Sequence, residues 1–329
     1  MKHRTLGKTG FQVSEVSLGA WQIGGKWGEP FDESVAERTI NAAIDAGVTF
    51  IDTADVYDGG KSERAVARVV KSRSEEVRIA TKVGRRFSPH VAASYLPEGI
   101  VGYVNDSLAN MDVDAIDLVQ LHCPPTDVYY RPDIFETLDR LKAEGKILHY
   151  GVSVEKVEEA IKASEYPGVA SVQIIFNMFR QRPAELLFDL LRERNVGVIV
   201  RVPLASGLLS GKLTAGSTFG AKDHRTFNRR GEAFDQGETF GGVDFETGLR
   251  AVEELKSVLG NTDATLAQIA LRWILMFGAA SCVIPGASRA DQATENVRAA
   301  ELPPLTEDQM AAVRSVYEQH IKPLVHQRW

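Results

Sequence analysis

An α/β protein built as a (β/α)8 barrel, with an N-terminal β-hairpin and extra C-terminal helices, is the expected architecture. Short apolar runs alternate with stretches of helical periodicity through eight units of the 329-residue chain. Strict alternation of this kind implies a parallel sheet, because each strand needs a crossover before the next can align with it. No break in composition divides the chain, so residues 1–329 read as a single barrel domain. The competing architecture, an open doubly wound sheet, would bind a nucleotide through G-x-G-x-x-G after its first strand. That place reads SLGAWQIGG, without the spacing. Eight units in a chain of this length therefore favour the closed barrel.

The elements follow in order. KTG between apolar residues 5–6 and 13–16 signals a tight turn and a short hairpin. Residues 16–18 form the first barrel strand and lead into GAWQIGGKWG, a glycine- and tryptophan-rich loop. Asp32 caps a helix whose Val35, Ala36, Ile40, Ala43 and Ile44 share one face, and Gly47 ends it. Residues 49–52 are a strand, and Ser62 caps a second helix with Ala65, Val66, Val69 and Val70 inward. Strand three covers 78–82. Pro97 starts a helix that runs to about Asn110. The unbroken apolar run at 116–121 marks a strand buried on both faces. Helix 132–143 closes at Gly145. Strands at 147–153, 171–175 and 197–202 alternate with helices at 155–163 and 183–194. A long polar excursion fills 203–244. Helices at 245–259 and 264–277, a strand at 281–284, a helix from about Arg289 and a last helix at 306–319 complete the chain.

Composition excludes several classes of function. A net charge of −6 leaves no electrostatic footprint for nucleic acid or an anionic membrane. Cys123 and Cys282 lie far apart without CxxC or Cys/His spacing, which argues against a disulfide scaffold or a zinc site. The longest uncharged run, 273–288, falls short of the ~20 residues that span a bilayer and is broken by Gly278, Pro285 and Gly286. The opening MKHRTLGKTG lacks the apolar core of a secretory signal. A cytoplasmic protein acting on a small molecule is expected, with no metal and no nucleic-acid or membrane partner.

In a barrel, the C-terminal ends of the strands build the active site. Asp52, Lys82 and His122 fall at the ends of strands two, three and four, and Tyr57 follows on the loop after strand two. Neighbouring strands lie ~4.8 Å apart, so these side chains can converge. A free phenol titrates near ~10, too high for an efficient proton donor and acceptor. An adjacent Lys82 ammonium would lower it, and Asp52 would hold that ammonium charged and oriented. Tyr57 could then give a proton to a carbonyl oxygen to which His122 donates a hydrogen bond. No side chain supplies the hydride, so a nicotinamide is implied. Singly, each residue has a plainer explanation: Asp52 capping loop N–H groups, Lys82 solvated at a strand end, His122 half-buried and satisfied. Convergence of all four on one mouth is the argument for chemistry.

The blocks RTLGKTGFQVSEVSLG, FIDTADVYDGGKSE, ATKVG, DLVQLHCP, GKILHYGVS, VQIIFNMF, PLASGLLSGK and IPGASRADQATEN occur in this order. End to end, the chain resembles the aldo-keto reductases, in the branch that includes general bacterial members and the potassium-channel β-subunits. The resemblance implies a (β/α)8 barrel that uses NAD(P)H without a Rossmann domain, with NADP(H) preferred and NAD(H) possible. It implies Tyr57 as general acid, Asp52 and Lys82 as the pair that tunes it, and His122 as the carbonyl-orienting residue. Ser153 and Gln173 resemble the contacts to the nicotinamide carboxamide. Many members have Asn where Val154 stands, a side chain that offers no polar contact. Arg201 replaces an aromatic residue that stacks on the nicotinamide in many relatives; it either stacks through its guanidinium or turns away to pair with an acid. Pro203, Leu204, Ser206, Gly207, Leu208, Ser210 and Lys212 resemble the loop that wraps the pyrophosphate. Gly286, Ser288, Arg289, Gln292, Glu295 and Asn296 resemble the segment that grips the adenosine end, where Arg289 suits a 2′-phosphate. Trp21, Trp27, Phe87 and Tyr129 on mouth loops, with Tyr57 and His122, are candidates for the substrate pocket. The excursion 214–244 is either a flap over the cofactor or a solvated insertion, and the tail HQRW either enters the pocket or frays. The expected function is reduction of an aldehyde or ketone. A nucleotide-holding partner protein of the channel β-subunit type and an NAD-dependent sugar dehydrogenase are the alternatives.

Overall fold

The computed structural model of the protein describes residues 1–25, 29–260 and 263–329. The chain opens with β1 (His3–Thr5) and β2 (Gln12–Ser14), paired antiparallel with His3 opposite Ser14. Their connection turns at Gly10, whose φ of 70° lies in the left-handed region that glycine adopts without strain. The barrel then alternates: β3 (Leu18–Gly19), α1 (Glu33–Asp45), β4 (Phe50–Asp52), α2 (Lys61–Lys71), β5 (Arg78–Val83), α3 (Pro97–Met111), β6 (Ile116–His122), α4 (Pro132–Ala143), β7 (Ile147–Ser153), α5 (Val157–Ala163), β8 (Val169–Ile175), α6 (Leu187–Glu193) and β9 (Gly197–Arg201). After the excursion, which contains α7 (His224–Phe227), come α8 (Phe245–Leu259), α9 (Leu266–Leu275), β10 (Ala280–Val283), α10 (Ala290–Val297) and α11 (Glu307–Val316). None of the described helices is long and apolar enough to cross a membrane.

Strands β3 to β10 lie in sequence order in one eight-stranded sheet. The sheet closes on itself: Ser17 N–H donates to Val283 O (2.8 Å), Val283 N–H to Glu15 O (3.0 Å) and Gly19 N–H to Pro285 O (3.0 Å). A ring of backbone bonds leaves no sheet edge to protect. All eight predicted strands are present; α5 and α9 each start two residues later than expected, and α2 and α6 differ for identifiable reasons. Helix α2 begins at Lys61, because Asp58, Gly59 and Gly60 all have positive φ and cannot be helical. Ser62 therefore lies inside the helix, its hydroxyl on Ala20 O (3.2 Å) and beside Thr53 Oγ1 (2.7 Å). Helix α6 is shorter than expected at its start, since Pro183 belongs to a separate 3-10 turn, Arg182–Ala184.

Strand periodicity sets up the interior. Leu6 and Val13 of the hairpin plug the N-terminal end of the barrel and pack on Phe50, Ala80, Leu118 and Ile199. Side chains two residues further along a strand point to the same face. Above that apolar layer the strands therefore carry Asp52, Lys82, Gln120 and Arg201, all buried. A second, larger apolar cluster lies between sheet and helices and includes Ile40, Ile51, Val66 and Ile79. Helix α1 buries Ala36, Ile40, Ala43 and Ile44 there, and Asp32 Oδ1 caps it by accepting from Val35 N–H (3.0 Å).

Candidate active site

Asp52 ends β4, and its carboxylate gathers three donors: Lys82 Nζ at 2.5 Å, Gln173 Nε2 at 2.8 Å and Gln120 Nε2 at 2.9 Å. The sheet register explains the meeting, since Lys82 lies beside Gln120 and Asp52 beside Ala80. Lys82, 1% exposed, spends its other protons on Thr53 O (2.8 Å) and the Tyr57 phenol oxygen (3.1 Å). Desolvation would pull its pKa down, but Asp52 and Tyr57 outweigh it and hold the ammonium above its ordinary value.

Tyr57 corrects one expectation. Burial pushes the phenol above its ordinary value and outweighs the downward pull of Lys82. The Asp52 carboxylate, paired with Lys82 in the same buried cluster, adds to the effect of burial by raising the phenol further. Tyr57 is therefore held as a phenol. Its oxygen accepts from Lys82, and its own proton has no acceptor among the described residues. The ring stacks at 6.1 Å on Trp21 and meets His122 edge-on at 5.9 Å. Burial, then the Lys82, Arg85 and Arg201 charges, hold His122 well below its ordinary pKa, so the imidazole is neutral. Its Nδ1 is enclosed without a hydrogen-bond partner among the described residues.

These residues face a cavity of about 980 Å³. Tyr57 and His122 line one part of it, and Gly286, Ser288, Arg289, Gln292, Glu295 and Asn296 line another. Ser153, Gln173, Arg201, Pro203, Leu204, Ser206, Gly207, Ser210 and Lys212 also border it. Both hydrogens of the Gln173 amide are spent, on Asp52 and on Gln120 Oε1 (3.1 Å), so it offers only its oxygen to a ligand. Val154 is fully buried, and its carbonyl accepts from Arg201. Ser206 and Gly207 have φ of 56° and 97°, which turns this backbone along the cavity wall. The Leu208 side chain is fully buried, against Gly248, so of this residue only the backbone could serve a ligand. At the far end, Gln292 Oε1 accepts from Ser288 N–H (3.0 Å), and Asn296 Nδ2 donates to Gly286 O (3.2 Å). Arg289 N-caps α10 and pairs through Nε with Asp291 (2.9 Å).

Arg201 takes the second of the two expected orientations. Nη1 binds Glu238 Oε1 at 2.5 Å, and Nη2 binds Glu155 Oε2 at 3.0 Å and Val154 O at 2.9 Å. Cys123, Glu155 and Glu238 bring a thiol and two carboxylates within 4.8 Å of one another, and the Arg201 guanidinium is the cation that pairs with both carboxylates. Stacking of a free guanidinium on the nicotinamide is not the arrangement present.

The substrate-pocket candidates divide. Trp21 lines the cavity. Phe87 does not; it packs on Tyr95 (4.5 Å) and Tyr103 (4.9 Å). Tyr129 is buried beneath the floor, donating to Ser153 O at 3.2 Å. Trp27 lies outside the described residues. The excursion covers the cavity: Phe219, His224, Arg225, Phe234 and Glu238 line it. His224 and Phe234 approach Trp21 at 5.5 and 6.2 Å. Trp329 of the tail does not enter the cavity; it packs under Arg180 (4.2 Å) and donates to Asp235 of the excursion (3.0 Å). Sequence reasoning missed Gln120, Arg85 and the excursion residues. Gln120 carried a signal, as a polar residue inside an apolar strand; nothing local marks the others.

Residues 15–318 match the family model described as the aldo/keto reductase family. The chain is 30% identical over 327 residues to an uncharacterized oxidoreductase, YqkF, of Bacillus subtilis, with 98% of each chain covered. It is 28% identical to a probable voltage-gated potassium channel subunit beta of Arabidopsis thaliana, covering 93% of both. Among solved structures, the holo form of the aldo-keto reductase AKR11C1 from Bacillus halodurans superposes with a TM-score of 0.76 at 29% identity, over 97% of this chain and 99% of that one. The glycerol dehydrogenase AKR11B4 of Gluconobacter oxydans gives 0.77 at 28% identity, over 97% and 96%.

Proposed function

Because the chain belongs to the aldo/keto reductase family, whose members use NAD(P)H, we propose that it is a reductase of aldehydes or ketones in which Tyr57 protonates the carbonyl oxygen. One observation carries the reading: Lys82 Nζ donates to the Tyr57 oxygen at 3.1 Å, so the phenol proton is the one left to be given away at the cavity wall. NAD(P)H, when bound, supplies the hydride to the carbonyl carbon. Tyr57 gives its proton to the oxygen as the C=O π bond breaks, and Lys82 stabilises the phenolate that results. Asp52 keeps Lys82 charged and aimed. Neutral His122 offers an N–H to the same oxygen without placing a second full charge beside it.

The cavity fits the cofactor in three respects. Gln173 presents an amide oxygen suited to a carboxamide N–H2. The left-handed turn at Ser206 and Gly207 brings backbone to the cavity wall where a pyrophosphate would lie. Arg289, at the start of α10, bonds through Nε alone among the described residues, and its Nη groups would suit a phosphate, which supports NADPH over NADH. The test is oxidation of NADPH and NADH by purified protein on aliphatic and aromatic aldehydes, methylglyoxal and aldose sugars, with Tyr57→Phe as control. Turnover that falls by about a hundredfold or more in Tyr57→Phe supports the assignment. Tight cofactor binding without turnover on any substrate in either direction would reject it in favour of a nucleotide-holding partner protein.

A further inference from the structure

Arg85 lies three residues beyond Lys82 and lines the same cavity as Tyr57 and His122. The cations and acids around the cavity are mostly matched. Lys82 pairs with Asp52 at 2.5 Å, Arg201 with Glu238 at 2.5 Å, and Arg225 with Asp223 at 2.6 Å. Arg85 is matched poorly. Its Nη2 reaches Glu155 Oε1 only at 3.5 Å, and the other oxygen of that carboxylate is held by Arg201 at 3.0 Å. Its Nε is enclosed without an acceptor among the described residues, and its other side-chain partner is the Cys123 thiol, which burial keeps protonated and so uncharged. The side chain is 21% exposed. Glu155 does not itself line the cavity. It meets Arg85 from outside the cavity that Arg85 and His122 both line.

A guanidinium this enclosed is costly unless an acceptor completes its hydrogen bonds. Its planar fork matches two oxygens of one anionic group. We infer that the carbonyl substrate carries an oxyanion, a carboxylate or a phosphate, and that Arg85 receives it. The inference rests on the reductase reading of the same cavity and narrows its substrate class. The anionic group takes no part in the redox step: hydride still goes to the carbonyl carbon and the Tyr57 proton to its oxygen. Arg85 fixes which end of the molecule enters first.

The test compares each anionic carbonyl with a neutral counterpart on the full chain with saturating reduced cofactor: succinic semialdehyde against butanal, and glyceraldehyde 3-phosphate against glyceraldehyde. A charge-assisted pair predicts kcat/KM favouring the anionic member about tenfold or more, through KM. In Arg85→Gln that ratio falls toward one. In Arg85→Lys, which keeps the charge and loses the fork, part of it survives. Preference confined to the first pair identifies a carboxylate, and preference confined to the second a phosphate. A wild-type ratio near one, or a ratio that Arg85→Gln and Arg85→Lys leave intact, overturns the inference while carbonyl reduction itself stands. If nothing turns over, calorimetry of the cofactor-saturated protein with succinate and with inorganic phosphate separates the two ideas. Binding lost in Arg85→Gln keeps the anion site and rejects the reductase, whereas no Arg85-dependent binding rejects both.

Discussion

Asp55 lies between Asp52 and Tyr57, on the loop that carries the phenol, and its side chain is fully enclosed. Neither carboxylate oxygen completes a hydrogen bond to a described residue, although the Val56 N–H lies close, and Arg86 Nη1 comes no nearer than 3.9 Å. Burial, and then the Glu63 carboxylate, push its pKa up to about 7. A carboxyl raised on folding destabilises the fold as pH rises. The unfolded chain ionises first, near pH ~4, and the folded chain only near 7. The penalty grows between those values and is constant above them. At ~1.36 kcal/mol per unit, Asp55 costs the fold about 2 to 3 kcal/mol more at pH 8 than at pH 5. Asp55→Asn removes the titration but keeps the shape. Urea unfolding of both proteins at pH 5, 6, 7 and 8 should show the variant gaining on wild type by that amount, most of it between pH 5 and 7. A stability difference that is flat in pH, or that shrinks as pH rises, refutes the reasoning. It would mean that Asp55 is ionised and satisfied in the folded protein.

Asp52→Asn leaves the buried Lys82 ammonium without its counter-charge, and about 3 kcal/mol of stability should be lost, read as a lowered urea midpoint. Turnover should fall as well, since nothing then keeps Lys82 charged beneath the phenol. Arg289→Ala should raise KM for NADPH about tenfold and leave KM for NADH nearly unchanged, because only the 2′-phosphate needs that cation. Gly248→Ala would put a methyl 2.6 Å from Leu208 Cδ1, so about 1 to 3 kcal/mol of overpacking is expected, together with weaker cofactor binding as the 203–212 loop shifts. Titration by calorimetry checks the second effect.

The order of elements was legible because alternating apolar runs and amphipathic stretches are local patterns. Val119 and Val198 announce buried strands from their immediate neighbours, and the buried face of α1 reads directly from its spacing. Helix starts were less legible where backbone geometry overrode capping, as at Ser62, which a run of positive φ displaces from the cap to the helix interior. The meeting of Asp52, Lys82, Tyr57 and His122 could be anticipated, because strand ends of a parallel barrel share one mouth. Phe87 and Tyr129 could not be placed. An aromatic residue on a mouth loop packs inward or outward according to neighbours such as Tyr95 and Tyr103, which lie on other segments.

Strand parity and glycine positions are properties of consecutive residues, so the chain alone specifies the barrel and the polar layer that caps its apolar plug. Charge matching depends on residues far apart in the chain, and the assembled barrel had to settle it. Arg201 meets Glu238 from the excursion and Glu155 from the loop after β7, so its guanidinium is spent on acids and not held ready to stack. Burial, helped by the Asp52 carboxylate, outweighs the pull of Lys82 on the phenol, so Tyr57 is held protonated. Arg85 is the guanidinium at the mouth that the same pairing leaves short of acceptors. Coulomb energies fall with distance and grow with burial, and both quantities exist only once the strands have closed into a ring.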